Sequence, residues 1–217
     1  MKPKVKICCI SSVEEAQLAI RHGASALGLV GKMPSGPGMI EDSLILEIQE
    51  SVPPPVSTFL LTSETNALEV INHHKKVRTS VIQLVDALEN SEYHLIREHL
   101  PGIKLVQVIH VIDEDSVREA IESAPHVDAL LLDSGNPKLA VKVLGGTGNI
   151  HDWNLSRTIR ESVKIPVFLA GGLKVENVRE AVEKVQPFGL DLCSSVRSNG
   201  KLDEKKLEAF FAELEKI

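Results

Sequence analysis

Two short apolar runs end on side chains able to move protons: Val5-Lys6-Ile7 leads into Cys8, and Leu130-Leu131-Leu132 leads into Asp133. A thiol acts as base or nucleophile only as thiolate, so its ordinary pKa of about 8.5 must be lowered by positive potential nearby. A carboxyl that donates a proton near neutrality needs the opposite shift, usually supplied by burial. Cys8 as base and Asp133 as acid therefore make a proton-transfer pair, provided that the fold brings two distant positions to one place. Taken singly, each has a plainer role: Cys8 as a small buried hydrophobe, Asp133 as a turn or cap residue. Strand alternation sends Cys8 and Cys9 to opposite sides, so only one of them is expected to face a reaction site, and alternation does not say which.

Two donor-rich turns could hold an anion. Gly171-Gly172 follows the apolar run Val167 to Ala170, and Ser194-Ser195 follows Leu190 to Cys193. Backbone amides and hydroxyls at such positions suit a phosphate even on an acidic protein, because the favourable field need only be local. Gly146 and Thr147, in the run Gly145-Gly146-Thr147-Gly148, are further candidate substrate-binding residues, and Gln83 could point a neutral amide into the same space. His110 is a single histidine, more often structural than catalytic. His73-His74 lies among lysines and reads as solvated helix surface, and Asp152 as a helix start. Histidines and cysteines show no metal-ligand spacing, and no cofactor is expected.

These residues need a scaffold that gathers strand ends. Eight runs rich in valine, isoleucine and leucine qualify as strands: Val5 to Cys8, Ala26 to Val30, Val56 to Leu61, Val81 to Leu84, Leu105 to Ile109, Ala129 to Leu132, Val167 to Ala170 and Leu190 to Cys193. Segments of helical period separate them, beginning near Ser12, Asp42, Asn66, Ser91, Asp115, Asn154, Val175 and Asp203. Ser12-Val13-Glu14-Glu15 has the spacing of a capping box. Eight strand and helix pairs predict an α/β fold, a compact (β/α)8 TIM barrel in a single domain over residues 1–217, with an open doubly wound sheet as runner-up. Two connections are long, Gly31 to Ile40 and Ser134 to Trp153, and both follow strand C-termini, where a barrel does its chemistry.

Bulk properties narrow the partners. The chain has 217 residues and a formal net charge of −6 with its cations dispersed, which argues against nucleic acid. No apolar run is long enough to span a bilayer, the start lacks a secretory pattern, and three cysteines do not build a disulfide framework. The expectation is a cytoplasmic protein, monomer or homodimer, with a phosphorylated small-molecule substrate and no membrane partner.

The order of these motifs resembles the phosphoribosylanthranilate isomerase family over nearly the whole chain. The resemblance is carried by Val5-Lys6-Ile7-Cys8, Gly23-Ala24-Ser25-Ala26-Leu27-Gly28, Ile82-Gln83-Leu84, Leu130 to Asp133, Gly145 to Gly148, Asp152-Trp153, Leu169 to Leu173, Glu176-Asn177-Val178 and Phe188 to Asp191. It implies a cofactor-independent Amadori rearrangement of a phosphorylated aldosylamine to an aminoketose, in tryptophan biosynthesis. Cys8 then matches the general base acting at C2 of the sugar, and Asp133 the general acid that opens the furanose ring. Gly171-Gly172 and Ser194-Ser195 would hold the sugar phosphate, and Gln83 would line the pocket. The chain departs from the family pattern at four places. Cys9 replaces the usual glycine, Gly38 falls where an arginine meets the anthranilate carboxylate, and Val85-Asp86 replaces His-Gly. Cys193-Ser194-Ser195-Val196-Arg197 replaces Ser-Ser-Gly-Val-Glu. Lys32 or Arg197 could substitute for the missing arginine. Otherwise the substrate is another phosphorylated aminosugar with a smaller or uncharged aglycone. A non-catalytic binder of phosphorylated metabolites is the alternative from a different class.

Overall fold

A computed structural model describes residues 2–135 and 150–217. Strands β1 (Lys4–Ile7), β2 (Ala26–Val30), β3 (Ser57–Thr62), β4 (Val81–Leu84), β5 (Lys104–His110), β6 (Ala129–Asp133), β7 (Val167–Leu169) and β8 (Gly189–Leu192) pair in parallel, each with its neighbour in sequence. The decisive pairing is β1 with β8, running from Lys4 opposite Gly189 to Ile7 opposite Leu192, which closes the sheet into a barrel and rules out the open alternative. Helices α1 (Val13–Arg21), α2 (Asp42–Ser51), α3 (Ala67–Val77), α4 (Asn90–His99), α5 (Asp115–Ser123), α6 (Trp153–Ser162), α7 (Val178–Val185) and α8 (Glu204–Glu215) follow the strands in turn. A hairpin of β9 (Arg197–Ser198) and β10 (Lys201–Leu202) sits before α8. None of the described helices is long and apolar enough to cross a membrane.

The period of two explains how one sequence fills two cores. Outward residues such as Ile7, Leu27, Leu60, Ile82, Leu130 and Leu190 are fully buried against the helices. Inward residues form a second cluster that includes Ala26, Phe59, Val81, Val106, Ala129 and Phe168, with the Phe59 and Phe168 rings meeting edge to face at 6.1 Å between centroids. Each large buried apolar side chain contributes about 1.5–3 kcal/mol.

Local signals hold with small shifts. Ser12 caps α1, its Oγ accepting from the Glu15 amide at 3.2 Å, but Glu15 reaches back to the Ser11 amide and not to that of Ser12. The reason is tertiary: the same carboxylate also accepts from Arg197 and the Leu202 amide, which ties α1 to the hairpin. Helix α7 starts at Val178, later than the expected Val175, because the Asn177 side chain first closes a turn, accepting from the Lys174 amide and donating to the Gly172 carbonyl, both at 2.9 Å. Asp152 does start α6, accepting from the Asn154 amide at 2.7 Å. The histidine pair is not solvated surface. His73 Nε2 lies 2.9 Å from Asp42 Oδ1, His74 Nε2 lies 2.8 Å from the Thr79 carbonyl, and both rings are partly buried between helix and loop.

Candidate active site

The inner cluster plugs the lower barrel, and above it a cavity opens at the C-terminal ends of the strands. It encloses about 760 Å³ including its open mouth, and both Cys8 and Asp133 line it. Each arrives by register. Lys6 and Cys8 share the inward face of β1 and its continuation, whereas Leu131 and Asp133 share that of β6. The close packing depends on Gly28 of β2: a Cβ there would stand 2.8 Å from Cys8 Sγ and 3.0 Å from Lys6 Nζ. The thiol and the ammonium therefore lie within about 6 Å of each other.

Alternation fails at one point. Cys9 also lines the cavity, because its φ of 61° places it in the left-handed region and turns the chain after the strand. Positive φ is where the glycine of the family pattern would rest without strain.

Lys6 and Asp191 form a buried ion pair beneath the cavity that sequence reasoning missed. Lys6 Nζ donates to Asp191 Oδ1 at 2.9 Å, with the lysine side chain fully buried and the aspartate 9% exposed. Burial alone would depress the ammonium, but the facing Asp191 carboxylate, together with Cys8 and Cys9, holds Lys6 above the usual lysine value. The signal was present: a charged residue two positions before Cys8, and another two before Cys193, must point the same way as those thiols.

Asp133 sits in the environment a proton donor requires. Burial raises its pKa from the usual carboxylate value; the Ser134 amide, His110 and Lys6 pull it partly back, and Asp191 adds to the rise. His110 itself is a scaffold element, paired in register with Asp133 and with Nε2 3.1 Å from the Val85 carbonyl.

The expected binding residues gather around the same cavity. Gln83, Gly171, Gly172, Ser194 and Ser195 all line it. Gly171 and Gly172 both have positive φ, 77° and 64°. Gln83 Oε1 and Ser195 Oγ are buried atoms without a hydrogen-bond partner among the described residues, which leaves them available to a ligand. Gly146 and Thr147 lie outside the described residues, as does most of the connection after β6. The connection after β2 brings Met33, Ser35, Gly36 and Pro37 onto the cavity, as its length suggested. His151, which sequence reasoning passed over, packs behind Gly171: a Cβ on that glycine would meet its Nδ1 at 3.1 Å. Burial pushes its pKa down to about 4, so it is a neutral ring at physiological pH.

Arg197 does not supply the missing counter-charge. Its guanidinium bonds both oxygens of Glu15 at 3.1 Å and the carbonyls of Cys8, Cys9 and Gly200, and it does not line the cavity. Gly38, with φ of 80°, packs directly on Cys9, where a Cβ would stand 2.5 Å from Cys9 Cβ. Two departures from the family pattern, at positions 38 and 197, thus meet a third at Cys9.

The family model described as N-(5'phosphoribosyl)anthranilate (PRA) isomerase matches residues 5–213. The chain belongs to this family. Among relatives, the N-(5'-phosphoribosyl)anthranilate isomerase of Methanosarcina acetivorans is 36% identical over 231 residues, covering 99% of this chain and 94% of its own. That of Methanocella arvoryzae is 32% identical over 210 residues, covering 97% and 96%. Among solved structures, the phosphoribosyl anthranilate isomerase of Thermotoga maritima superposes with a TM-score of 0.82 at 26% identity, covering 99% of this chain and 100% of that one. The Thermus thermophilus enzyme gives 0.81 at 27%, with 98% of each covered. The (β/α)8 barrel, the family and the isomerase class expected from the residues are borne out.

Proposed function

We propose that this chain catalyses the Amadori rearrangement of N-(5'-phosphoribosyl)anthranilate, the substrate in its relatives' names, with Cys8 as general base and Asp133 as general acid. The observation that carries the reading is that a thiol from β1 and a carboxyl from β6, 125 positions apart, line one small cavity. Asp133 gives its proton to the furanose oxygen, the ring opens to an iminium, and Cys8 removes the C2 proton to give the enolamine that tautomerises to the ketose. No redox partner is needed, because the electrons move within the substrate. Burial suits Asp133 to its role by keeping the proton on the carboxyl at higher pH.

The sugar phosphate lies at the Gly171-Gly172 and Ser194-Ser195 turns, where positive φ presents successive amides and the Ser195 hydroxyl awaits a partner. Gln83 meets the sugar through its unpaired oxygen. Gly146 and Thr147 are assigned to substrate binding on the family pattern alone. The enzyme acts as one domain over residues 1–217, in the cytoplasm, as a monomer or homodimer.

The test is a direct assay with phosphoribosylanthranilate, run beside Cys8→Ala and Asp133→Asn. Turnover by the parent and its loss in both variants is the expected result, and undiminished turnover in either variant overturns the roles. A second reading, an isomerase for a phosphorylated aminosugar with an uncharged aglycone, is favoured by one observation. Arg197, a cation that could have replaced the arginine, turns both terminal guanidinium nitrogens to Glu15 and backbone carbonyls and does not line the cavity. Turnover of such a sugar, with none of phosphoribosylanthranilate, selects it.

A further inference from the structure

The cysteines the mechanism does not use are themselves placed for chemistry. Cys9 Sγ lies 3.0 Å from Cys193 Sγ, a contact between residues 184 apart in sequence. Cys8 Sγ is farther from Cys9, at 3.9 Å. A disulfide has its sulfurs about 2.05 Å apart, so a movement of about 1 Å would join Cys9 to Cys193.

Three features build this contact. Cys9 occupies a backbone region that disfavours every residue but glycine, and the family pattern has glycine there, yet this chain places a thiol in it. Gly38 clears the space over the Cys9 side chain, and Arg197 fixes the Cys9 backbone through its carbonyl. Cys193 stands where the family pattern has serine. It is the more exposed partner and opens onto the cavity, whereas Cys8 and Cys9 are each 6% exposed.

We propose that Cys9 and Cys193 are an oxidisable dithiol, a redox modification site on the rim of the barrel, which hydrogen peroxide converts to a disulfide joining the end of β1 to the end of β8 and which a small dithiol reduces back by exchange. The Cys193 sulfur attacks one peroxide oxygen, the O–O bond breaks, and the leaving hydroxide takes up the Cys193 proton as water. The Cys9 sulfur then attacks the resulting sulfenic acid, forming the S–S bond and releasing a second water with the Cys9 proton. Two thiols are oxidised by two electrons and one peroxide is reduced. The direction of attack agrees with the local field: the sulfur–sulfur hydrogen bond with Cys9, with help from Arg197, lowers the Cys193 pKa, whereas Cys9 is raised. The inference stands apart from the catalytic reading, since it uses neither Cys8 nor Asp133.

The experiment treats the full chain with hydrogen peroxide, blocks free thiols, and maps tryptic peptides without reduction. The expected product links peptide 7–21 to peptide 185–197, lighter than their sum by two hydrogens, and dithiothreitol reverses it. The link should persist in Cys8→Ala and vanish in Cys193→Ser, Cys9→Gly and Cys9→Ala, with circular dichroism confirming that each variant is folded. The melting midpoint of the oxidised parent should rise and fall back on reduction, because the bond closes a long loop. A link that survives Cys9→Gly, or Cys193 oxidised to sulfinic acid while Cys9 stays free, overturns the proposal.

Discussion

Gly38 and Cys9 should be coupled energetically, and the size of the coupling follows from the geometry. Gly38→Ala imposes two costs. At φ of 80° an L side chain pays for the left-handed region, about 1–2 kcal/mol. The new Cβ also stands 2.5 Å from Cys9 Cβ, an overlap that must be relieved by shifting a buried segment, about 1–3 kcal/mol for overpacking. The single variant should therefore lose about 2–5 kcal/mol. Cys9→Gly alone should stay within about 1 kcal/mol of the parent, since relief of its own left-handed strain offsets the loss of a small buried thiol. Combining the two removes the overlaps with the Cys9 side chain and leaves the backbone cost and a 3.0 Å approach to the residue 9 Cα, so the double variant should recover about 1–3 kcal/mol relative to additivity. Urea unfolding of the four proteins, followed by far-ultraviolet circular dichroism and tryptophan fluorescence to check for a single transition, measures the cycle. Additivity within about 0.5 kcal/mol would refute the claim that these two departures from the family pattern are one packing solution.

Other consequences follow from the ionisable groups. Asp133→Asn should reduce kcat by about 10²–10⁴-fold while stabilising the fold at neutral pH. The sign comes from its raised pKa: the folded state binds that proton more tightly, so ionisation costs stability as pH rises above the unfolded value of about 3.9. The variant's advantage should disappear in acid, and a constant difference across pH would count against it. In the parent, turnover should fall as pH rises through the Asp133 pKa, a limb of the pH–rate profile absent from the residual activity of Asp133→Asn. Lys6→Met strands a buried carboxylate and should lose about 3–5 kcal/mol in chemical denaturation, whereas Lys6→Met with Asp191→Leu should recover most of it. A loss below about 1 kcal/mol in the single variant would show that the pair is not the buried interaction described.

Much of this protein was legible along the chain because periodicity and strand-end chemistry are local. All eight strands fall within a residue or so of their expected places, since β-branched runs bounded by turn residues leave few other conformations. Cys8, Asp133, Gln83 and the two donor-rich turns reach one cavity because alternation fixes which side chains face inward once the barrel closes. Closure itself was not local. The open sheet and the barrel share the same βα units, and they are distinguished by strand order, here sequential throughout and closed by the β1–β8 hydrogen bonds. The burial of Lys6 was likewise hidden, because its partner Asp191 lies 185 positions away and a charge in a strand reads as solvated until its counter-charge is known. Cys9 escaped alternation through a left-handed backbone that its neighbours Gly38 and Arg197 hold in place, a constraint assembled from three separate segments. Spacing along the chain thus determined which residues could do chemistry, and chain closure decided which of them meet, because contact across a barrel depends on distances in space that no local pattern encodes.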